Sequence, residues 1–172
     1  MHPAFAVRKI PGVAVVPLQG QLCVVATVDV AAGNVVMTID GRTVAQPTRY
    51  TVQIGEGEHV DAEALPGSDG GYPVWRFLNH ACEPNTRLVG RDLVAIADLR
   101  AGDQVTFDYD STEWDMAAPF ACACGAPTCR GLVRGFRHLT PAQRERMPWV
   151  AEHLRTALAR SAAAVAGSGR RR

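Results

Sequence analysis

No apolar run in this chain is long enough to build more than a short element. The longest, such as residues 22–28, are bounded by Gly, Pro, Asn or Asp, and 16 glycines and 11 prolines are spread through 172 residues. Turn formers at that density cut a chain into short strands and leave no room for long parallel helices. The pattern predicts a mainly β fold of small sheets, and the length fits a single domain. Aromatic residues make up only 6%, so small and branched side chains must fill the core.

Residues 11–39 read as strands between turns: an apolar run from Leu22, a turn at Ala32-Gly33-Asn34, then Val35-Val36-Met37. Another run covers 50–54, and residues 55–71, rich in Gly, Glu and Asp, read as a surface connection with a short helix at 62–65. Segments 86–89 and 93–97 flank Gly90-Arg91-Asp92 as a hairpin, and 104–107 supplies one more strand. Asp29-Val30-Ala31-Ala32-Gly33-Asn34 and Asp98-Leu99-Arg100-Ala101-Gly102-Asp103 share a turn chemistry. Glycine at positive φ accounts for both without a repeat. Near the C-terminus, Thr140 caps a helix with Pro141 in its first position, and Pro148 interrupts it. Val150, Leu154, Ala157, Leu158, Ser161 and Val165 then fall at helical spacing, which predicts a second helix docked on the body. Residues 162–172 drift to Ala, Gly, Ser and Arg and read as a disordered basic tail.

Charge is divided along the chain. Residues 1–129 hold eight basic against fifteen acidic side chains, whereas residues 130–172 hold ten arginines against two glutamates. An acidic body attracts a cationic partner, and a terminal Arg170-Arg171-Arg172 is more commonly a solvated run than a phosphate contact. A basic protein or peptide is therefore the expected partner, and nucleic acid is not. No segment has the layout of a secretory signal or a membrane span, so the expected location is the cytoplasm. Charge and composition leave the oligomeric state open.

Cys122, Cys124 and Cys129 form a C-x-C-x4-C cluster with Gly125 and Pro127 as turn formers. Three thiolates leave tetrahedral zinc one ligand short, and Cys23 and Cys82 are the other cysteines. Spacing alone leaves a metal site and buried or redox thiols both open. The string Arg76-Phe77-Leu78-Asn79-His80-Ala81-Cys82-Glu83-Pro84-Asn85 is rarer, although residue by residue it admits a core histidine and an ordinary loop.

As a whole that string resembles the R-F-x-N-H-[SA]-C-x-P-N signature of the SET domain, the fold of many protein lysine methyltransferases that use S-adenosylmethionine. Residues 98–109, D-L-R-A-G-D-Q-V-T-F-D-Y, resemble the second SET signature, and residues 122–131 resemble the post-SET segment C-x-C-G-x-x-x-C-R-G. The resemblance implies a β-clip fold of small sheets in which residues 79–85 are threaded as a pseudoknot. The resemblance spans about residues 12–134 and implies a SET domain at 1–112 and a post-SET zinc segment at 113–134; the helical spacing and the composition beyond them leave a C-terminal helical extension at 135–161 and the tail at 162–172. It implies that Cys82 joins Cys122, Cys124 and Cys129 on one structural zinc. It also implies that Asn79 and His80, with help from Arg76, contact S-adenosylmethionine, and that Tyr109 is the catalytic tyrosine where cofactor meets substrate lysine.

Methyl transfer to an amine demands alignment and loss of a proton more than it demands a reactive side chain. A free lysine, with a pKa of ~10.4, is protonated at neutral pH, and a nearby sulfonium and an apolar channel both lower that value. A tyrosine hydroxyl and backbone carbonyls can orient the amine without a dedicated carboxylate base.

Two positions depart from the family pattern. Gln21-Leu22-Cys23 stands where the cofactor loop usually reads G-x-G, so any cofactor contact there must come from backbone with the side chains turned away. Thr38-Ile39-Asp40-Gly41 lacks the tyrosine usual before the glycine, which alters the expected lining of the lysine channel. The leading expectation is a protein lysine N-methyltransferase. A catalytically silent SET-like binding module and a methyltransferase acting on a small amine are the alternatives.

Overall fold

The computed structural model describes residue 7 and residues 10–18, 20–63 and 71–168. Lys9, the chain's single lysine, residues 64–65 of the short helix expected at 62–65, and residues 169–172 of the tail lie outside that set. Strands β1 (Val13–Leu18) and β2 (Gln21–Ala26) form an antiparallel hairpin. It turns at Gly20, whose φ of 84° suits a residue without a Cβ. Strand β3 (Val35–Thr38) belongs to a five-stranded sheet, and β4 (Thr43–Val44), β5 (Thr51–Gly55) and β6 (Glu58–Asp61) make a second sheet of three.

Strand β6 corrects the reading of residues 55–71 as a surface connection. It is the middle strand of its sheet, and His59, Val60 and Asp61 are buried. The acidic and polar composition of the segment hid it, because only Val60 among its four residues is apolar.

Strands β7 (Asn79–His80), β8 (Thr86–Val89), β9 (Asp92–Ala95) and β10 (Thr106–Phe107) complete the larger sheet in the order β3-β9-β8-β10-β7. Strands β8 and β9 are the expected hairpin, with Val89 opposite Asp92. The expected strand at 104–107 is split between two partners. Val105 donates its N–H to the Val24 carbonyl beside β2, and β10 then runs parallel between β7 and β8. One strand thus enters between two that are consecutive in sequence, the crossing expected of a threaded β-clip.

The two similar turns prove to be one device. Val30 and Leu99 exchange backbone hydrogen bonds of 2.9 and 2.8 Å. The Asp98 carboxylate accepts the Ala32 N–H while the Asp29 carboxylate accepts the Ala101 N–H, both at 2.9 Å. Each aspartate therefore caps the other's turn, which a reading of each turn in isolation does not reveal.

The main core gathers Val24, Met37, Ile39, Val60, Trp75, Leu93, Val105 and Phe107 from both larger sheets and the hairpin. Strands β11 (Phe120–Ala121) and β12 (Leu132–Val133) close a small antiparallel pair around the cysteine cluster. Helix α1 (Pro141–Glu145) starts at Thr140 with a reciprocal cap, since the Thr140 hydroxyl accepts the Gln143 N–H and the Gln143 side chain accepts the Thr140 N–H.

Helix α2 (Glu152–Ser168) runs further than composition suggested, so the expected disorder from residue 162 is corrected as far as Ser168. Alanine is the best helix former, and an alanine-rich stretch after an anchored turn continues the helix without packing. The anchor is a second core of Phe136, Leu139, Val150, Ala151 and Leu154. It reaches the main body through the Ala151 N–H donated to the Ser111 carbonyl at 2.9 Å and through His153 Nε2, which donates to the Thr112 carbonyl at 2.7 Å. No helix among the described residues is long and apolar enough to cross a membrane.

Leu154 is fully buried in this second core. Leu154→Ala should cost about 2–5 kcal/mol, read as a lower midpoint in urea denaturation followed by circular dichroism.

Candidate functional site

Tyr109 sits where β10 ends. Phe107 is buried in the core, Asp108 is extended, and a 3-10 turn over Tyr109–Ser111 follows, capped by the Asp108 carboxylate accepting the Asp110 N–H at 3.1 Å. The Tyr109 ring packs against Phe107, His80 and Phe120 at centroid distances of 4.8, 5.3 and 5.9 Å. Its hydroxyl donates to the Leu78 carbonyl at 2.5 Å. Burial pushes the phenol above its usual range, and the nearby Glu113 charge adds to the shift.

The carboxylates flanking Tyr109 share one cation. The Arg130 guanidinium bonds the Asp108 carboxylate directly, and its Nε lies 3.1 Å from Asp110 Oδ2. All three side chains are buried, with Asp110 fully enclosed. Burial raises the Asp108 carboxyl to about 6 against the opposing pull of Arg130; burial lowers Arg130, but its pairing with Asp108 and Asp110 outweighs that and raises it, so Asp108 and Arg130 both carry charge at neutral pH. Asp110 Oδ1 also accepts the Gly135 N–H at 2.7 Å. Gly135 has φ of 108°, and a Cβ there would lie 2.7 Å from the Trp114 carbonyl, so this close approach requires glycine.

His80 lies beside the same group. Its Nδ1 accepts the Tyr109 N–H at 3.2 Å, which leaves the proton on Nε2, 3.3 Å from Cys82 Sγ. Burial, with the Arg130 charge, lowers the imidazole to about 3. The ring is therefore neutral near pH 7, and its 3.6 Å approach to Asp108 is a contact without an ion pair.

Cys82, Cys122, Cys124 and Cys129 place their sulfurs within 4.8 Å of one another, with Cys82 and Cys122 3.9 Å apart. Four sulfurs about 2.3 Å from a tetrahedral zinc stand roughly 3.8 Å from each other, so the group fits such an ion. Burial raises the Cys82 and Cys122 thiols, the latter to about 11. In Cys124 burial is the largest single influence and raises the thiol, but backbone and thiol hydrogen bonds together outweigh it and bring it to about 7. The Arg130 N–H, at 3.4 Å, and the His80 Nε2–H both point at Cys82 Sγ, and the Arg130 bond partly opposes the burial that raises this thiol.

The remaining expected residues fall in two places. Asn79 Nδ2 donates to Cys23 Sγ at 3.0 Å and approaches the Leu22 carbonyl at 3.4 Å, so Leu22 and Cys23 meet Asn79. The Cys23 side chain is fully buried and its thiol is raised by burial, while Gln21 is exposed at the start of β2. Arg76 lies apart from Asn79 and His80, in the wall of a cavity that also includes Tyr50, Trp75, Leu78, Tyr109 and Glu113. Its guanidinium sits over the Tyr50 and Tyr72 rings at 3.5 and 4.1 Å and reaches Glu63 at 3.5 Å. Ile39, at the position expected to alter the channel lining, is buried in the main core and is not part of this wall.

A match to the SET domain family model covers residues 21–110. The chain belongs to the SET domain family. Its SET region is similar to the methyltransferase flvH of Aspergillus flavus, 36% identical over 91 residues that make up 48% of each chain. It is also similar to the H3 lysine-36 specific histone-lysine N-methyltransferase of Yarrowia lipolytica, 33% identical over 133 residues, 64% of this chain and 16% of that one. Among solved structures, KRYPTONITE in complex with mCHH DNA, H3(1-15) peptide and SAH is 25% identical, with a TM-score of 0.49, over 67% of this chain and 28% of the other. The chain thus spans about half the length of the first relative and a smaller part of the second.

Tyr50, Trp75 and Glu113 in the cavity wall of this SET domain were not singled out from sequence, and Arg130 was read only as part of a motif. A signal was present for Arg130: two aspartates flanking an aromatic residue at the end of an apolar strand need a cation when buried.

Two outcomes follow. Arg130→Met leaves two buried carboxylates without a counter-charge and should cost about 3–5 kcal/mol, measured by thermal denaturation of the metal-loaded protein. Glu113 is raised from 4.5 to about 7 by burial, with the Gln53 N–H opposing and Asp110 adding to the shift. Its folded value exceeds the unfolded one, so the stability held by the protonated carboxyl is complete below 4.5 and lost as pH rises through 7. Glu113→Gln cannot ionise and should gain on the wild type between pH 5.5 and 8, seen as diverging urea midpoints.

Proposed function

We propose that this chain is an S-adenosylmethionine-dependent protein lysine N-methyltransferase whose post-SET segment is closed by a structural zinc. The observation that carries the reading is the convergence of the Tyr109 hydroxyl and the Leu78 carbonyl in the wall of one cavity, directly before Asn79 and His80 in the chain. A hydroxyl and a carbonyl fixed together can orient a lysine amine. The names of the relatives, histone-lysine N-methyltransferases among them, support the same reaction.

S-adenosylmethionine would supply the methyl group. In this chain, the backbone of Gln21, Leu22 and Cys23 with Asn79 and His80 would form its binding surface, with the Cys23 side chain turned into the core. Arg76 would act through Tyr50, whose ring it covers, rather than by contacting the cofactor. Tyr109 would align the amine, and Phe107 with Trp75 would exclude water from the stem of the lysine. Cys82, Cys122, Cys124 and Cys129 would hold a zinc ion as four thiolates, a ligand set that would leave no position for water and would tie residues 122–129 to Cys82. The partner would be a basic protein or peptide, in keeping with the acidic residues that predominate before residue 130 and with relatives that act on histones. The SET domain and the post-SET segment would act as one unit, because Cys82 and Arg130 join them.

Calorimetric titration of the zinc-loaded protein with S-adenosylmethionine tests the reading. Saturable binding is expected, weakened at least about tenfold in His80→Ala, which loses the Tyr109 and Cys82 contacts. Tyr109→Phe should keep that binding and lose on the order of 10²-fold or more in methyl transfer to a lysine peptide. Absence of binding at millimolar cofactor would favour the catalytically silent module, and transfer to free amines but not peptides would favour a small-amine enzyme.

A further inference from the structure

Among the described residues, Glu113 is the one carboxyl lining the cavity that contains Tyr109. It is 7% exposed. Its N–H is bonded to the Tyr109 carbonyl at 2.9 Å, so the two residues stand one turn apart on the same face. One carboxylate oxygen, Oε1, accepts the Gln53 N–H at 2.7 Å. The carboxyl is near enough to Tyr109 for its charge to act on the phenol.

The other charged or titratable groups around it are Asp110 on its own segment, Arg49 and Tyr50 on the facing wall, and Arg76 from the turn before Asn79. Arg76 is occupied by two tyrosine rings and Glu63. Arg49 likewise lies over the Tyr50 ring, at 5.0 Å. With both arginines stacked on tyrosine rings, a buried carboxylate in a cavity of mixed polar and apolar lining is a site for a cation.

We propose that Glu113 receives the substrate ammonium in this cavity and accepts its proton before methyl transfer. The assignment rests on the methyltransferase reading and adds a carboxylate base to a site in which Tyr109 alone was expected to act. The ammonium loses one proton to the Glu113 carboxylate, which leaves a neutral amine and a carboxylic acid. The amine lone pair forms the new N–C bond while the donor's C–S bond breaks, and that electron pair stays on sulfur. The product leaves as the methylammonium, and Glu113 returns its proton to solvent through the open cavity. Burial holds the carboxyl near neutrality, which brings it closer to the amine than a solvated glutamate would be.

The first test titrates n-butylammonium chloride, a mimic of the lysine side chain, into the wild type and Glu113→Gln by NMR at pH 5.5 and 8.5. The wild type should bind about tenfold or more tightly than the variant at pH 8.5, the weight of one charge-assisted contact, and the advantage should vanish at pH 5.5. Equal affinities at pH 8.5 would overturn the assignment. The second test follows methylation of a lysine peptide against pH. The wild-type rate should rise through a limb near pH 7 that is missing in Glu113→Gln, with S-adenosylmethionine affinity unchanged. A variant with the wild-type rate and pH profile would refute Glu113 and leave the methyltransferase reading intact. Charge-dependent amine binding without transfer to any lysine would refute that reading and leave the ammonium site standing.

Discussion

The pairing of Arg130 with Asp108 and Asp110 holds the site together. Two carboxylates on either side of Tyr109 are withdrawn from water, and the Arg130 guanidinium within bonding distance of both offsets the cost of burying them. That cation comes from the residue after Cys129, in a segment too small to fold on a core of its own. The Tyr109 turn and the cysteine cluster therefore depend on each other: loss of either leaves buried charge exposed to an apolar surrounding. His80 joins the same group by accepting the Tyr109 N–H and directing its other nitrogen at Cys82.

The β framework supplies the position that this pairing fixes. Residues 102–107 pair first with the end of β2 and then enter between β7 and β8. Tyr109 is thereby delivered next to the Leu78 carbonyl and Asn79 next to Leu22 and Cys23, although these residues lie far apart in the chain. The exchange of caps between Asp29 and Asp98 pins the start of that path, and helix α2 presses on its end through Ser111 and Thr112. The C-terminal extension is thus part of the support of the site rather than an appendage to it.

The two regions flanking Tyr109 differ in electrostatic character. On the cysteine side, charges are paired and hydrogen-bonded, which favours rigidity. On the cavity side, Glu113 accepts the Gln53 N–H within a wall that mixes aromatic and aliphatic residues with Arg49, Arg76 and two threonines. A rigid group behind the tyrosine and a buried carboxyl in the cavity wall in front of it is a division of labour suited to a channel for a cationic side chain.

Short strands, the hairpin at Gly90-Arg91, the Thr140 cap and the C-x-C-x4-C cluster of Cys122, Cys124 and Cys129 were legible in the sequence, because turn residues, capping residues and closely spaced thiols carry their chemistry locally. Asn79, His80, Cys82 and Tyr109 were singled out only by the family resemblance of their motif strings, since each taken alone admits an ordinary structural role. Strand β6 was not legible, since its polar residues are buried by neighbours that no local pattern reveals. Nor were the swapped caps of Asp29 and Asp98, or the burial of Ile39 away from the cavity, because each depends on a partner distant in sequence. Arg130 as the counter-charge of Asp108 and Asp110, and Glu113 as a cavity carboxyl, belong to the same class. Residue type decided which chemistry the chain could hold, and only the threading of β10 between β7 and β8 decided which of those residues meet.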